Sequence, residues 1–336
     1  MSRAETGPRS PARTDRIVWP DIARGIGIVL VVVGHALGGM LAGGQIASGS
    51  ALDLVFFTIY SFHMPLFFVL SGMFVPDSLS RGRPGFVRTA LRRIAYPYFV
   101  WGFIQLATIV ALGQMVNAPQ QASPMLFVSM IWSPPSQYWF LYALFAFQIA
   151  TVLFDRYANV TVMLWVALAA RLLPELLELP DIVQASLRNW LYFAFAVRFA
   201  SLIRDSAAGH RTTGGALAAL AVAWIAAVFL SGWGGGYLSP WNLPAAVLGT
   251  WLVCRIAQLP GLPGAGLLAA LGRRSMPIFL THVLIVAGIR IVSVSVLKIA
   301  DPYLILPVAV LAGLAIPVVL FDWADRRRLA TVLALR

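Results

Sequence analysis

Arg24 and His35 stand at the two ends of "RGIGIVLVVVGH", with only aliphatic residues and glycines between them. A guanidinium holds phosphate or carboxylate oxygens in fork geometry, and an imidazole accepts or passes a proton near neutral pH. Eleven residues at about 100° each return a helix to within ~20° of its starting direction, so both side chains share one face, roughly 16 Å apart along the axis. A neutral imidazole there is the form a general base needs. An arginine snorkelling to an interface and a histidine hydrogen-bonded between helices fit the same two residues, and spacing alone does not separate the readings.

The elements that position them follow from composition. The chain has 336 residues, 60% hydrophobic and 11% charged, with a mean hydropathy of +0.81. Soluble domains carry roughly 25% charged residues, so this chain lacks the charge to cover a water-facing surface. Ten apolar runs, 22–42, 52–75, 94–113, 137–154, 159–173, 189–203, 214–231, 241–258, 276–297 and 303–321, predict an all-α, polytopic transmembrane bundle of about ten spans. With the N-terminus inside, the cytoplasmic segments collect Arg81, Arg83, Arg88, Arg92, Arg93, Arg156, Arg204, Arg255, Arg273 and Arg274, besides both tails. The outer loops hold Arg171, Arg188 and Lys298. That asymmetry puts both termini in the cytoplasm. The expected organisation is a basic tail over 1–18, a membrane domain over 19–321 and a second basic tail over 322–336.

An ionisable side chain at the centre of a membrane helix costs about 2.5–3.5 kcal/mol on insertion scales, which makes each one a functional candidate. Besides Arg24 and His35 these are His63, Arg198, His282 and Arg290. Gly34 and Gly38 form a small-xxx-small pair, expected to let another backbone approach His35.

Other readings fall away. The net charge of +12 follows from membrane topology and implies anionic lipid as partner, with no nucleic acid. The first run contains His35 and leads into a second span, unlike a cleaved signal. Cys254 is the single cysteine, which excludes an internal disulfide and a cysteine-rich metal site, and no metal is expected. The sequon Asn159-Val160-Thr161 falls at a predicted cytoplasmic boundary and reads as chance, and Gly264, Gly266 and Gly272 follow no strand, so they make no nucleotide fingerprint.

"WPDIARGIGIVLVVVGHAL" resembles the first helix of the acyltransferase family 3 membrane proteins, with its arginine and histidine separated by ten residues and an aspartate just before. The resemblance continues in order through "SFHMPLFFVLSGMF", "FVRTALRRIAYPYFVW", "QYWFLYALF" and "SMPIFLTH". It leans toward the short branch of fucose-4-O-acetylase-like and surface-polysaccharide O-acetyltransferases. Larger members place a glutamate after Trp-Ser-Leu; here Trp139-Phe140-Leu141-Tyr142 carries no acid, and a mechanism through that glutamate has no counterpart.

The resemblance implies transfer of an acyl group, usually acetyl, from cytoplasmic acyl-CoA to a hydroxyl of an envelope glycan or glycolipid, in the cytoplasmic membrane of a bacterium. Acyl-CoA is then a co-substrate, with no permanently bound cofactor. Arg24, Arg92 and Arg93 are the expected phosphate ligands, and Arg24 is counted with His35 among the catalytic residues. His35 either deprotonates the acceptor hydroxyl or takes the acyl group itself and hands it on. His63, beside Met64 and Pro65, is placed to orient substrate or His35. Tyr138 and Trp139 are candidate sugar-stacking residues, although interfacial aromatics also anchor membrane helices. Asp21, Ser71 and Gly72 are read as structural support, and His282 as a packing or hydrogen-bonded residue. The apolar piece "MLFVSMIW", within the long outer loop 114–136, is too short to span and is expected at the interface or re-entrant. A transporter or flippase of a glycan intermediate or small anion is the rival class; it predicts internal repeats with paired broken helices, which the sequence does not display.

Overall fold

The computed structural model describes residues 17–117, 121, 123–209, 213–232 and 239–335, with the side chains of 206–209 left aside. The expected tails therefore lie partly outside the described residues, as do His210, Arg211 and most of the loop "SGWGGGYLSPW".

The principal helices are α1 (Trp19–Ala42), α2 (Ala51–Tyr60), α3 (His63–Gly72), α4 (Tyr96–Leu112), α5 (Trp139–Tyr157), α6 (Val160–Ala170), α7 (Asp181–Arg198), α8 (Gly214–Leu230), α9 (Leu243–Ala257), α10 (Ala265–Arg273), α11 (Ser275–Ile291) and α12 (Pro302–Arg326). Their starts follow local chemistry. Pro20 occupies the first turn of α1, where its missing N–H is no loss. Ser50, Asn159, Thr213 and Asp301 each accept a backbone N–H at the head of α2, α6, α8 and α12. Asn159 thus has a structural use: the sequon residue is a helix cap.

Among the described residues, six helical stretches are long and apolar enough to cross a membrane: Trp19–Ala42, Ala51–Leu79, Arg83–Met115, Pro124–Tyr157, Ser275–Val296 and Pro302–Arg326. Outward-facing Val222, Phe229, Leu230, Leu311 and Val319 are exposed, an apolar exterior that suits lipid. The chain is an integral membrane protein. Of the other predicted runs, α6, α8 and α9 are shorter, and α7 carries Asp181, Arg188 and Arg198.

Three ion pairs gather the charged ends of the helices opposite the α1 C-terminus: Arg83 with Asp155 (2.8 Å), Arg274 with Asp322 (3.1 Å), and Arg204 with Asp77. Arg24 lies at this same end, against the end of α3.

Two features shape the interior. The second predicted run breaks between α2 and α3, at Ser61 and Phe62. Pro65 has no N–H to give the Ser61 carbonyl four residues back, and Asn242 Nδ2 donates to that oxygen instead, at 2.8 Å. The second feature is a seam between α1 and α10. A Cβ on Gly25 would lie 1.9 Å from the Leu268 carbonyl oxygen, and one on Gly272 would lie 1.8 Å from that of Asp21. Only glycine permits this backbone-to-backbone crossing. Gly34 behaves otherwise than expected: the Tyr60 ring fills the space beside it, as Phe56 does at Gly38, so aromatic side chains sit there in place of a second backbone.

The sixth run is also displaced. The helix spans Asp181–Arg198, whereas the apolar run covers 189–203. Its first half holds Arg188 and Asn189, which line an interior cavity, and Gln184, which accepts from Arg188, and hydropathy scores all three as loop. Arg198, expected within the span, is exposed at the helix end and donates from Nε to Thr161 Oγ1 at 2.9 Å.

Candidate active site

His35 lies in the second half of α1 and is partly accessible from a cavity of about 530 Å³. The cavity is also lined by Tyr60 and His63 at the α2–α3 break, Gln137 and Trp139 at the head of α5, Arg171 after α6, Arg188, Asn189 and Tyr192 of α7, and Asn242 before α9. These positions share the end of the bundle away from Arg24.

Behind His35 stands His282 of α11, fully buried, its ring centroid 5.0 Å away and the planes at 65°. Its Nδ1 faces the carbonyls of Ile278 and Phe279, each at 2.9 Å. Carbonyls only accept, so Nδ1 carries the proton and Nε2 keeps a lone pair. That Nε2 is buried and has no hydrogen-bond partner among the described residues. The same argument applies to His63, whose Nδ1 donates to the Ile59 carbonyl at 2.9 Å. Tyr60 links the two sides, 4.7 Å from His63 and 6.2 Å from His35 between ring centroids. His35 and His63 both border the cavity, and the backbone fixes the tautomers of His63 and of His282. Such a set can receive a proton and return it.

Arg24 is elsewhere. It does not line the cavity. Its guanidinium meets Asp21 at 3.4 Å, donates to the Leu70 carbonyl at 3.2 Å, and lies 5.1 Å from the centre of the Phe74 ring. Asp21 is buried and holds Arg24 against the end of α3. Ser71 is half-buried there, and a Cβ on Gly72 would lie 2.6 Å from the Phe193 carbonyl oxygen, so that glycine lets α3 pack tightly on α7. Arg92 and Arg93 sit on a π-helical turn, Leu91–Ala95, just ahead of α4; both are exposed and neither reaches the cavity.

Of the two expected sugar-stacking residues, Trp139 lines the cavity and Tyr138 does not. Tyr138 is fully buried, its hydroxyl donating to the Leu280 carbonyl at 2.6 Å, so it pins α5 to α11. Arg171 and Arg188, assigned to outer loops from sequence, are buried side chains of the cavity wall. "MLFVSMIW" forms the short helix Pro124–Val128 and a following turn, with Met130 buried and Trp132 exposed.

Comparison with known proteins gives the family. An acyltransferase domain matches residues 17–322 of this membrane-embedded chain. The chain belongs to the acyltransferase 3 family. It is similar to the nodulation protein NolL of Sinorhizobium fredii, 27% identical over 208 residues, which are 60% of this chain and 54% of that protein. It thus spans about half the length of this curated relative. No solved structure matches. The family implies an acyl donor and an acceptor.

Proposed function

We propose that this chain moves a short acyl group, acetyl foremost, from cytoplasmic acyl-CoA to a hydroxyl of an envelope polysaccharide or glycolipid in the cytoplasmic membrane of a bacterium. In this reading the ten apolar runs are ten spans, with both termini and Arg24 on the cytoplasmic side and the cavity open outward. The observation that carries it is His35 bordering a cavity that Arg24 does not reach. A donor arriving at one face and an acceptor at the other need a reacting group between the two. Arg24, Arg92 and Arg93 then hold the phosphates of coenzyme A, and the thioester end extends toward His35.

As general base, His35 takes the proton of the acceptor hydroxyl while its oxygen attacks the thioester carbonyl. The tetrahedral adduct collapses, the C–S bond breaks, and the departing thiolate recovers the proton from the imidazolium. His282 supports this role because its unshared Nε2 lone pair is suited to accept the other His35 N–H. Once made, such a hydrogen bond would orient the ring, as a carboxylate does in a hydrolase triad. His63 favours a second course. Its Nε2 retains a lone pair in the same cavity, so it could deprotonate the acceptor if His35 itself carried the acyl group.

The test uses inside-out vesicles supplied with acetyl-labelled acetyl-CoA, comparing native protein with His35→Ala. Base-labile label in envelope glycan or lipid that disappears with His35 is the expected result. Label unchanged in the variant removes His35 from the chemistry. No label from either protein, across several acyl-CoAs and with native envelope present, favours the transporter.

A further inference from the structure

Two arginines on the cavity wall have no part in the reaction above. Arg171 and Arg188 are 7% and 8% exposed, and both line the cavity that contains His35. Arginines elsewhere in the bundle meet carboxylates: Arg83, Arg204 and Arg274 each have an aspartate. Arg171 has none within ion-pair distance among the described residues. Its Nη1 donates to the Arg188 carbonyl at 2.9 Å, and its guanidinium lies 5.6 Å from the centre of the Tyr192 ring. Arg188 meets Glu175 at 2.6 Å and Gln184 at 3.0 Å, but its Nε is buried with no hydrogen-bond partner. Asp181 lines the same cavity and lies in no ion pair with either arginine. Two carboxylates, Glu175 and Asp181, stand near these two arginines, but only Glu175 is in an ion pair with either; Arg171 meets no carboxylate among the described residues, and a guanidinium held away from water without an anion is costly.

Resting on the reading of this cavity as the acceptor's site, we propose that Arg171 and Arg188 bind an anionic group of the acceptor, a carboxylate or a phosphate, beside the hydroxyl presented to His35. A guanidinium offers parallel N–H donors to two such oxygens, and the Nε of Arg188 is available as one of them. Trp139 lines the same cavity and supplies an apolar face for the sugar ring that bears the charge. The acceptor class is an acidic glycan, its charge carried either by an acid sugar or by the phosphate of a glycolipid. Charge recognition beside the reacting hydroxyl fixes which hydroxyl is presented.

Binding is measured without turnover, with the full chain in nanodiscs of phosphatidylcholine. The probes are octyl β-D-glucoside, octyl β-D-glucuronide and octyl β-D-glucoside 6-phosphate, each below its micellar concentration and corrected with empty discs. At least one charged probe binds about tenfold or more tightly than the glucoside, the scale of one charge-assisted hydrogen bond. Which charged probe gains separates an acid sugar from a phosphate. Arg171→Gln removes the gain and leaves glucoside binding intact, while Arg171→Lys keeps part of it. Glu175→Gln, which changes a half-exposed side chain and releases Arg188, tightens the charged probe further. The proposal is overturned by equal binding of charged and neutral probes, by no binding of any probe, by a gain that survives Arg171→Gln, or by a Glu175→Gln protein that does not bind the charged probe more tightly. A protein that binds the charged probe through Arg171 but transfers no acyl group would sink the acyl-transfer reading alone. One that acylates its acceptor with no charge discrimination would sink this site alone.

Discussion

The His282 ring stands edge-on to His35 at 5.0 Å, with its Nδ1 committed to two carbonyls of its own helix. A histidine tied in this way keeps its Nε2 as the nitrogen left for a neighbour. His282→Ala is expected to lower kcat by about 10²-fold, the low end of what general-base catalysis contributes, with KM for acyl-CoA unchanged. His282→Gln, whose amide oxygen can accept where Nε2 did, should recover part of that loss. Steady-state kinetics on the two variants checks this. Equal damage from both substitutions, in KM as well as kcat, would mean that His282 only packs.

Asn242 replaces the backbone donor that Pro65 lacks. Asn242→Leu leaves the Ser61 carbonyl buried without a partner, at a cost of about 1–3 kcal/mol. The thermal transition of the detergent-solubilised protein should fall accordingly. Pro65→Ala restores an amide N–H and should leave that transition unchanged or raise it. Activity should nonetheless fall, because a continuous helix would carry His63 out of the cavity.

The α1–α10 seam gives a paired prediction. Gly272→Ala places a methyl group against the Asp21 carbonyl, and no flexible side chain stands there to yield. Folded yield from membranes should drop severely. Gly266→Ala, one helical position away from any neighbour within 4 Å, should be neutral or stabilising by up to about 1 kcal/mol. Size-exclusion profiles of the two variants decide it.

Arg92→Gln and Arg93→Gln test the donor side. Each is expected to raise KM for acetyl-CoA about tenfold, the scale of one lost charge-assisted hydrogen bond, at constant kcat. Dephospho-CoA thioesters should show a smaller loss, since the 3′-phosphate is already missing. Unchanged KM in both variants would assign these arginines to membrane orientation only.

How much of this was legible depended on whether a residue acts through its neighbours in sequence or in space. The helical stretches were readable because lipid demands long apolar runs, and the pair Arg24 and His35 because such runs make any polar residue conspicuous. The α7 boundary was not readable: a helix that lines a cavity carries Gln184, Arg188 and Asn189, which look like loop to any hydropathy argument. Arg24 shares a helix face with His35 without lining its cavity. A shared helix face does not mean a shared cavity, and the Leu70 carbonyl and the Phe74 ring take up the space around that guanidinium. Tyr138 and Trp139 differ by one helical step, and only the backbone geometry at the head of α5 decides which faces inward. Pro65 beside His63 was a visible signal for a helix break. That Asn242 completes it could not be read from sequence, because nothing local connects the two.

The glycine seam has a consequence for the cell. A cavity that reaches His35 from one face is half of a path for water and protons across the bilayer. Where Gly25 and Gly272 bring two backbones into contact, no file of water molecules fits between α1 and α10. On that flank the seam closes the bundle, so a cavity can reach His35 from the other end without opening a path for water between α1 and α10.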